Sequence, residues 1–132
     1  NAGGPFSVIR QHMPLLMVSG EAVVINVSSI SAFTGSGSNI AYCAAKAALD
    51  TMTKSFARAF GPKVRFLSVS PAAVATQFVA GRDRKDLEVS AKLTPIKRVV
   101  EPEDIALAVL GCVTHLRTAT GTNIVVDGGR HL

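Results

Sequence analysis

Asn-Val-Ser-Ser-Ile-Ser-Ala-Phe-Thr-Gly-Ser-Gly-Ser-Asn-Ile-Ala-Tyr-Cys-Ala-Ala-Lys, residues 26–46, is the stretch whose reading decides the fold. An apolar run ends in the paired serines Ser28 and Ser29, a Gly/Ser-rich loop follows, and a helical pattern opens with Tyr42 and Lys46. Residues at i and i+4 share one face of a helix, so Tyr42 and Lys46 point the same way. A hydroxyl at the carboxyl end of a strand then meets a phenol and an ammonium at the start of the next helix. That combination suits proton transfer, because a free phenol titrates near about 10 and an ammonium within about 4–6 Å favours the phenolate. Ser28 and Ser29, successive residues at the end of a strand, point to opposite faces, and the spacing to Tyr42 favours Ser29.

Outward from this stretch, Ile40, Ala41, Ala45, Ala48, Leu49, Met52, Phe56 and Phe60 recur by threes and fours and predict a helix over residues 40–60. Gly61-Pro62 closes it, glycine past the end and proline just beyond. Residues 22–27 form a near-continuous apolar run, which suits a strand covered on both faces in a parallel sheet. Asn26 within it reads as a strand-supporting residue. Before it, Ser19-Gly20-Glu21 is a turn signal, and residues 6–17 carry an imperfect helical pattern that Pro14 should kink or end. Residues 64–69 predict a second strand, ending in Ser70-Pro71. The connection over residues 72–100 is long enough to be a lid or binding loop, with a charged, briefly helical middle at 82–92. Glu101-Pro102-Glu103-Asp104 has the proline and acids of a helix start, and residues 122–126 predict a third strand before Asp127-Gly128-Gly129. Alternating helices and strands imply right-handed crossovers on one parallel sheet, an α/β architecture.

The 132 residues, 48% hydrophobic and 17% charged, suit one domain with a well-buried core and argue against disorder. The net charge of +5 comes from scattered basic residues with no Trp between them, which reads as a solvated surface and not a nucleic-acid interface. Cys43 and Cys112 have no CxxC spacing and read as two buried free thiols of a reducing, cytoplasmic compartment. His12, His115 and His131 do not cluster with carboxylates or cysteines, so no metal site is expected. No apolar run approaches the roughly 20 residues of a membrane span.

Four motifs together resemble the short-chain dehydrogenase/reductase family. Asn1-Ala2-Gly3 is similar to its Asn-Ala-Gly turn after the fourth strand. Ser29, followed after 13 positions by Tyr42 and then by Lys46, resembles its Ser, Tyr-x-x-x-Lys constellation. The stretch from Ser70 to Thr76 resembles its Pro-Gly-x-x-x-Thr segment along the nicotinamide, and the stretch ending in Asp127-Gly128-Gly129 resembles its last strand. The resemblance implies a Rossmann-like three-layer sandwich with a parallel sheet, present as its C-terminal half, strands four to seven of the family order. It implies an oxidoreductase that interconverts a carbonyl and a secondary alcohol with NAD or NADP. Ser29 would hold the substrate oxygen, Tyr42 would move the proton, and Lys46 would support Tyr42 and bind the nicotinamide ribose. Asn1, Ala2, Gly3, Tyr42, Lys46, Pro71, Ala72, Val74 and Thr76 would contact the cofactor. Phe33, Phe78 and Val79 are candidates for a substrate pocket. A non-catalytic nucleotide-binding or scaffold protein of the same fold is the alternative.

Three departures from the family pattern set further expectations. The Gly-rich turn that cradles a pyrophosphate is not in the sequence, so residues 1–132 are expected to be a single partial domain whose partner is the N-terminal half of its own fold. The segment between Gly4 and Val24 is shorter than the family's crossover and holds no relay asparagine, which points to a break near residues 4–7, the alternative being a truly shortened crossover. Ala72 stands where the family has glycine, a change that matters only if the position needs positive φ. By resemblance, the helix over residues 40–60 packs against its counterpart in a homodimer or homotetramer, and the substrate is a small carbonyl or alcohol.

Overall fold

The computed structural model describes every residue except 1, 78–80 and 82, so Asn1, Phe78 and Val79 lie outside the described residues. In chain order the elements are α1 (Gly3–Val18), β1 (Ala22–Val27), α2 (Ser31–Thr34), α3 (Ile40–Phe60), β2 (Val64–Pro71), α4 (Arg84–Ala91), α5 (Pro102–Thr114) and β3 (Thr122–Val126). The strands form one parallel sheet in the order β1-β2-β3, with Ala22 opposite Val64 and Leu67 opposite Thr122. The expected α/β class is therefore what the chain adopts. Among the described residues the sheet has three strands.

Both faces of β2 are buried because its side chains alternate between two cores. Val64 and Phe66 join Ile9 of α1 and Ala57 of α3 on one face, while Leu67 and Val69 meet Cys112 of α5 on the other. These are the three layers of the sandwich. On the first face Phe56 stacks on Phe6 at 5.9 Å and on Phe66 at 5.3 Å between ring centroids, which ties α1, α3 and β2 together. Offset aromatic stacks of this kind contribute about 0.5–1.5 kcal/mol beyond the area they bury. On the second face, the Arg65 guanidinium of β2 donates to the carbonyls of Cys112, Leu116 and Ala119 at 3.0–3.3 Å. It thereby satisfies the Cys112 carbonyl, which the end of α5 leaves without a helical partner, and ties the turn beyond the helix to β2.

Several local expectations needed correction. α1 runs through Pro14 to Val18 instead of ending there. Proline forfeits one backbone bond, but Ile9, Met13, Leu16 and Met17 pack against the first core and hold the helix on both sides of it. Residues 4–7 lie within α1. Gly61 is extended (φ −66°, ψ 147°), not left-handed; glycine is needed because a Cβ there would stand 2.9 Å from the Ala57 carbonyl oxygen. The short α2 was not foreseen, and β2 continues to Pro71. Cys112 is buried, whereas Cys43 is only half-buried, and both are free. No helix among the described residues is long and apolar enough to cross a membrane.

Phe66 is fully buried at the junction of three elements. Phe66→Ala should cost about 3–5 kcal/mol. A urea unfolding curve checks this as a lower midpoint at an unchanged slope.

Candidate active site

Parallel strands bring all their carboxyl ends to one edge of a sheet, and there the segments after β1, β2 and β3 meet. They border an open cavity of about 1060 Å³. Of the candidates read from the sequence, Ser29, Tyr42, Lys46, Pro71, Ala72, Val74 and Thr76 all line it. Ala2 and Gly3 do not; Ala2 caps α1 and Gly3 begins it. Phe33 is not among the lining residues either, since its ring packs at 86° against the imidazole of His131. Ala72 keeps a negative φ, so its methyl group carries no backbone strain.

Strand alternation does not separate the two serines, because β1 ends at Val27 and both serines line the cavity. Their partners do. The Ser28 hydroxyl donates to the Lys46 carbonyl at 3.4 Å, which ties the end of β1 to α3. The Ser29 Oγ accepts the Ser31 amide at 3.2 Å, which leaves its own proton for another acceptor. Lys46 Nζ donates to the Val27 carbonyl at 2.7 Å and stands 5.7 Å from the centre of the Tyr42 ring. Burial pushes the Lys46 ammonium below its ordinary range, against the opposing pull of the Asp50 carboxylate one turn on.

Two supporting residues escaped the sequence reading. Asn39 caps α3 by accepting the Tyr42 amide at 2.8 Å, which fixes the first turn that carries the phenol. An Asn just before the first apolar helical residue is the signal that could have found it. Thr53 receives hydrogen bonds from Asn26 of β1 and Ser68 of β2, each at 2.9 Å, and donates to the Leu49 carbonyl. This buried chain holds α3 against two strands and gives Asn26 the supporting role expected of it.

His131 was read as unclustered, yet the turn after β3 folds it back onto Asp127, with Nδ1 2.7 Å from Oδ2. Burial alone would push the Asp127 carboxyl up, but hydrogen bonds from the His131 ring and from the Gly129 and His131 amides outweigh it and hold the carboxyl below its ordinary range. No group of three or more metal-ligating side chains occurs among the described residues.

The family model described as Enoyl-(Acyl carrier protein) reductase matches residues 1–131. The chain is 34% identical over 129 residues to the short-chain dehydrogenase/reductase homolog YusR of Bacillus subtilis (strain 168), and the match covers 98% of both chains. It is 28% identical over 131 residues to the 3-oxoacyl-(acyl-carrier-protein) reductase FabG of Thermotoga maritima, covering 98% of this chain and 53% of that one. Among solved structures it resembles a 3-oxoacyl-(acyl-carrier protein) reductase with bound NAD from Brucella melitensis, at 28% identity and a TM-score of 0.83, over all of this chain and 49% of that one. The chain belongs to the short-chain dehydrogenase/reductase family. It spans nearly the whole of YusR and about half the length of the other two.

Thr53→Val should leave the Asn26 amide and the Ser68 hydroxyl buried without their acceptor and cost about 1–3 kcal/mol. Denaturant unfolding of the variant measures that cost. A carboxyl held low in the folded state contributes its stability in full above the ordinary carboxylate range and loses it as pH falls through the folded value. Asp127→Asn should therefore be less stable than the parent at pH 7, with the gap closing below about pH 4; melting temperatures taken across that range follow it.

Proposed function

We propose that this chain is the catalytic half of an NAD- or NADP-dependent oxidoreductase that interconverts a carbonyl and a secondary alcohol. The observation that carries the reading is the convergence of Ser29, Tyr42 and Lys46, from the end of β1 and the start of α3, on one cavity walled by Pro71, Ala72, Val74 and Thr76. Ser29 has already accepted the Ser31 amide, so its hydroxyl is poised to donate to a carbonyl oxygen. Tyr42 gives the proton to that oxygen in reduction and removes it in oxidation. Lys46 spends one N–H on Val27 and keeps two for the ribose and for electrostatic support of the phenol. A half-buried ammonium with donors to spare, beside a wall of small and hydroxyl residues, fits the nicotinamide end of the cofactor. When bound, NAD or NADP supplies or accepts the hydride.

The same reading includes a small carbonyl or alcohol substrate, a cytoplasmic setting and a homodimer or homotetramer formed along α3. β1 has a second edge with no partner strand among the described residues, and the N-terminal half of the fold would pair there. The non-catalytic alternative differs in one measurable respect.

In the complete protein, Tyr42→Phe should lower kcat by about 10²–10⁴. Cofactor affinity, read by fluorescence titration, should stay within a few-fold. Activity within a few-fold of the parent on a panel of ketones and secondary alcohols would overturn the assignment. Cofactor binding without any turnover that depends on Tyr42 would favour the scaffold.

A further inference from the structure

Arg130 and His131 both line the cavity, and nothing in the work of Ser29, Tyr42 and Lys46 uses them. They are held in place. Gly128 and Gly129 turn the chain at φ +66° and +82°, and a Cβ on Gly129 would stand 2.7 Å from Pro95, so the turn has little freedom to move. Asp127, itself buried, accepts both the backbone amide of His131 at 2.9 Å and its Nδ1 at 2.7 Å. An ionised carboxylate only accepts, so Nδ1 carries a hydrogen, and Nε2 donates to an anion when the ring carries its second proton. The Phe33 ring, 5.7 Å away, braces the imidazole from the helix that follows Ser29. Arg130 spends Nη1 on the Ser90 hydroxyl of α4 at 2.6 Å, which anchors the guanidinium while its other nitrogens stay available.

The charge of the lining is one-sided. It includes Lys46 and Arg130, with the imidazole of His131, but no Asp or Glu among the described residues. Asp127, just beneath, is buried, with Oδ1 taken by the Gly129 amide and Oδ2 by His131. Guanidinium groups match carboxylates and phosphates with paired N–H donors. We infer that Arg130 and His131 form an anion-recognising arm of this cavity, and that the carbonyl substrate carries a carboxylate or phosphate group. The carbonyl part rests on the oxidoreductase reading; the anion-binding part does not.

The test is a titration of the complete protein that follows the side-chain NMR signals of Arg130 and His131. Three probes are used: acetoacetate, its uncharged methyl ester, and inorganic phosphate. Acetoacetate or phosphate should shift both signals saturably, the tighter of the two identifying the anion. The ester should bind at least 10-fold more weakly than the acid. Arg130→Gln, at an exposed position, should weaken acetoacetate at least 10-fold with an unchanged melting temperature, and His131→Gln should weaken it as well. Equal affinity for acid and ester, or for parent and Arg130→Gln, overturns the inference. So does displacement of acetoacetate from this pair by ADP-ribose, which would assign the arm to the cofactor. Because binding is read without turnover, an inactive protein that still prefers acid to ester counts against the oxidoreductase reading alone. An active one without that preference counts against the arm alone.

Discussion

One hydroxyl, that of Thr53, fixes α3 against the two strands β1 and β2, whose ends border the cavity. Its oxygen receives Asn26 from β1 and Ser68 from β2 and gives its proton to Leu49, so all of its bonding capacity is used in the interior. A fully satisfied polar group of this kind specifies one arrangement, since any slip of the helix leaves several buried groups without partners. Tyr42 and Lys46 lie about three and two turns nearer the start of α3, on the same stripe as Leu49, Thr53 and Ala57. The stripe that packs the helix onto the sheet thus faces the cavity once it passes the end of β1.

The sheet was legible because burial on both faces forces continuous apolar runs, as in residues 22–27, and the periodicity of α3 gave both of its bounds. Features that depend on contacts between distant residues were not legible. The connection over residues 72–100 read as a lid or binding loop with a briefly helical middle, and what the sequence did not show is a parallel bridge between Val74 and Val100 that joins its two ends and a bond from the Ile96 amide to the Gly128 carbonyl that ties it to the turn after β3. Pro14 looked like a stop because propensity is local, whereas the packing that keeps α1 helical comes from α3 and the sheet.

The site was legible in part. Spacing singled out Ser29, Tyr42 and Lys46, and the cavity contains all three. Strand alternation could not separate Ser28 from Ser29, because β1 ends at Val27, before either serine. Nor could spacing show that His131 folds onto Asp127, which depends on two successive glycines in left-handed conformations. Sequence patterns report periodic elements well and turns of this kind poorly.

The Arg65 clamp has a consequence for how the molecule opens. A helix end normally frays on its own, and amide hydrogen exchange there is fast. In this chain the carbonyls at and beyond the end of α5 are held by a side chain rooted in the central strand, whose own neighbours Val64 and Phe66 are fully buried. The last turn of α5 cannot let go without losing a bond to β2, so the two belong to one cooperative unit. The end of the helix farthest from the cavity chemistry in sequence is thereby made as slow to breathe as the middle of the sheet.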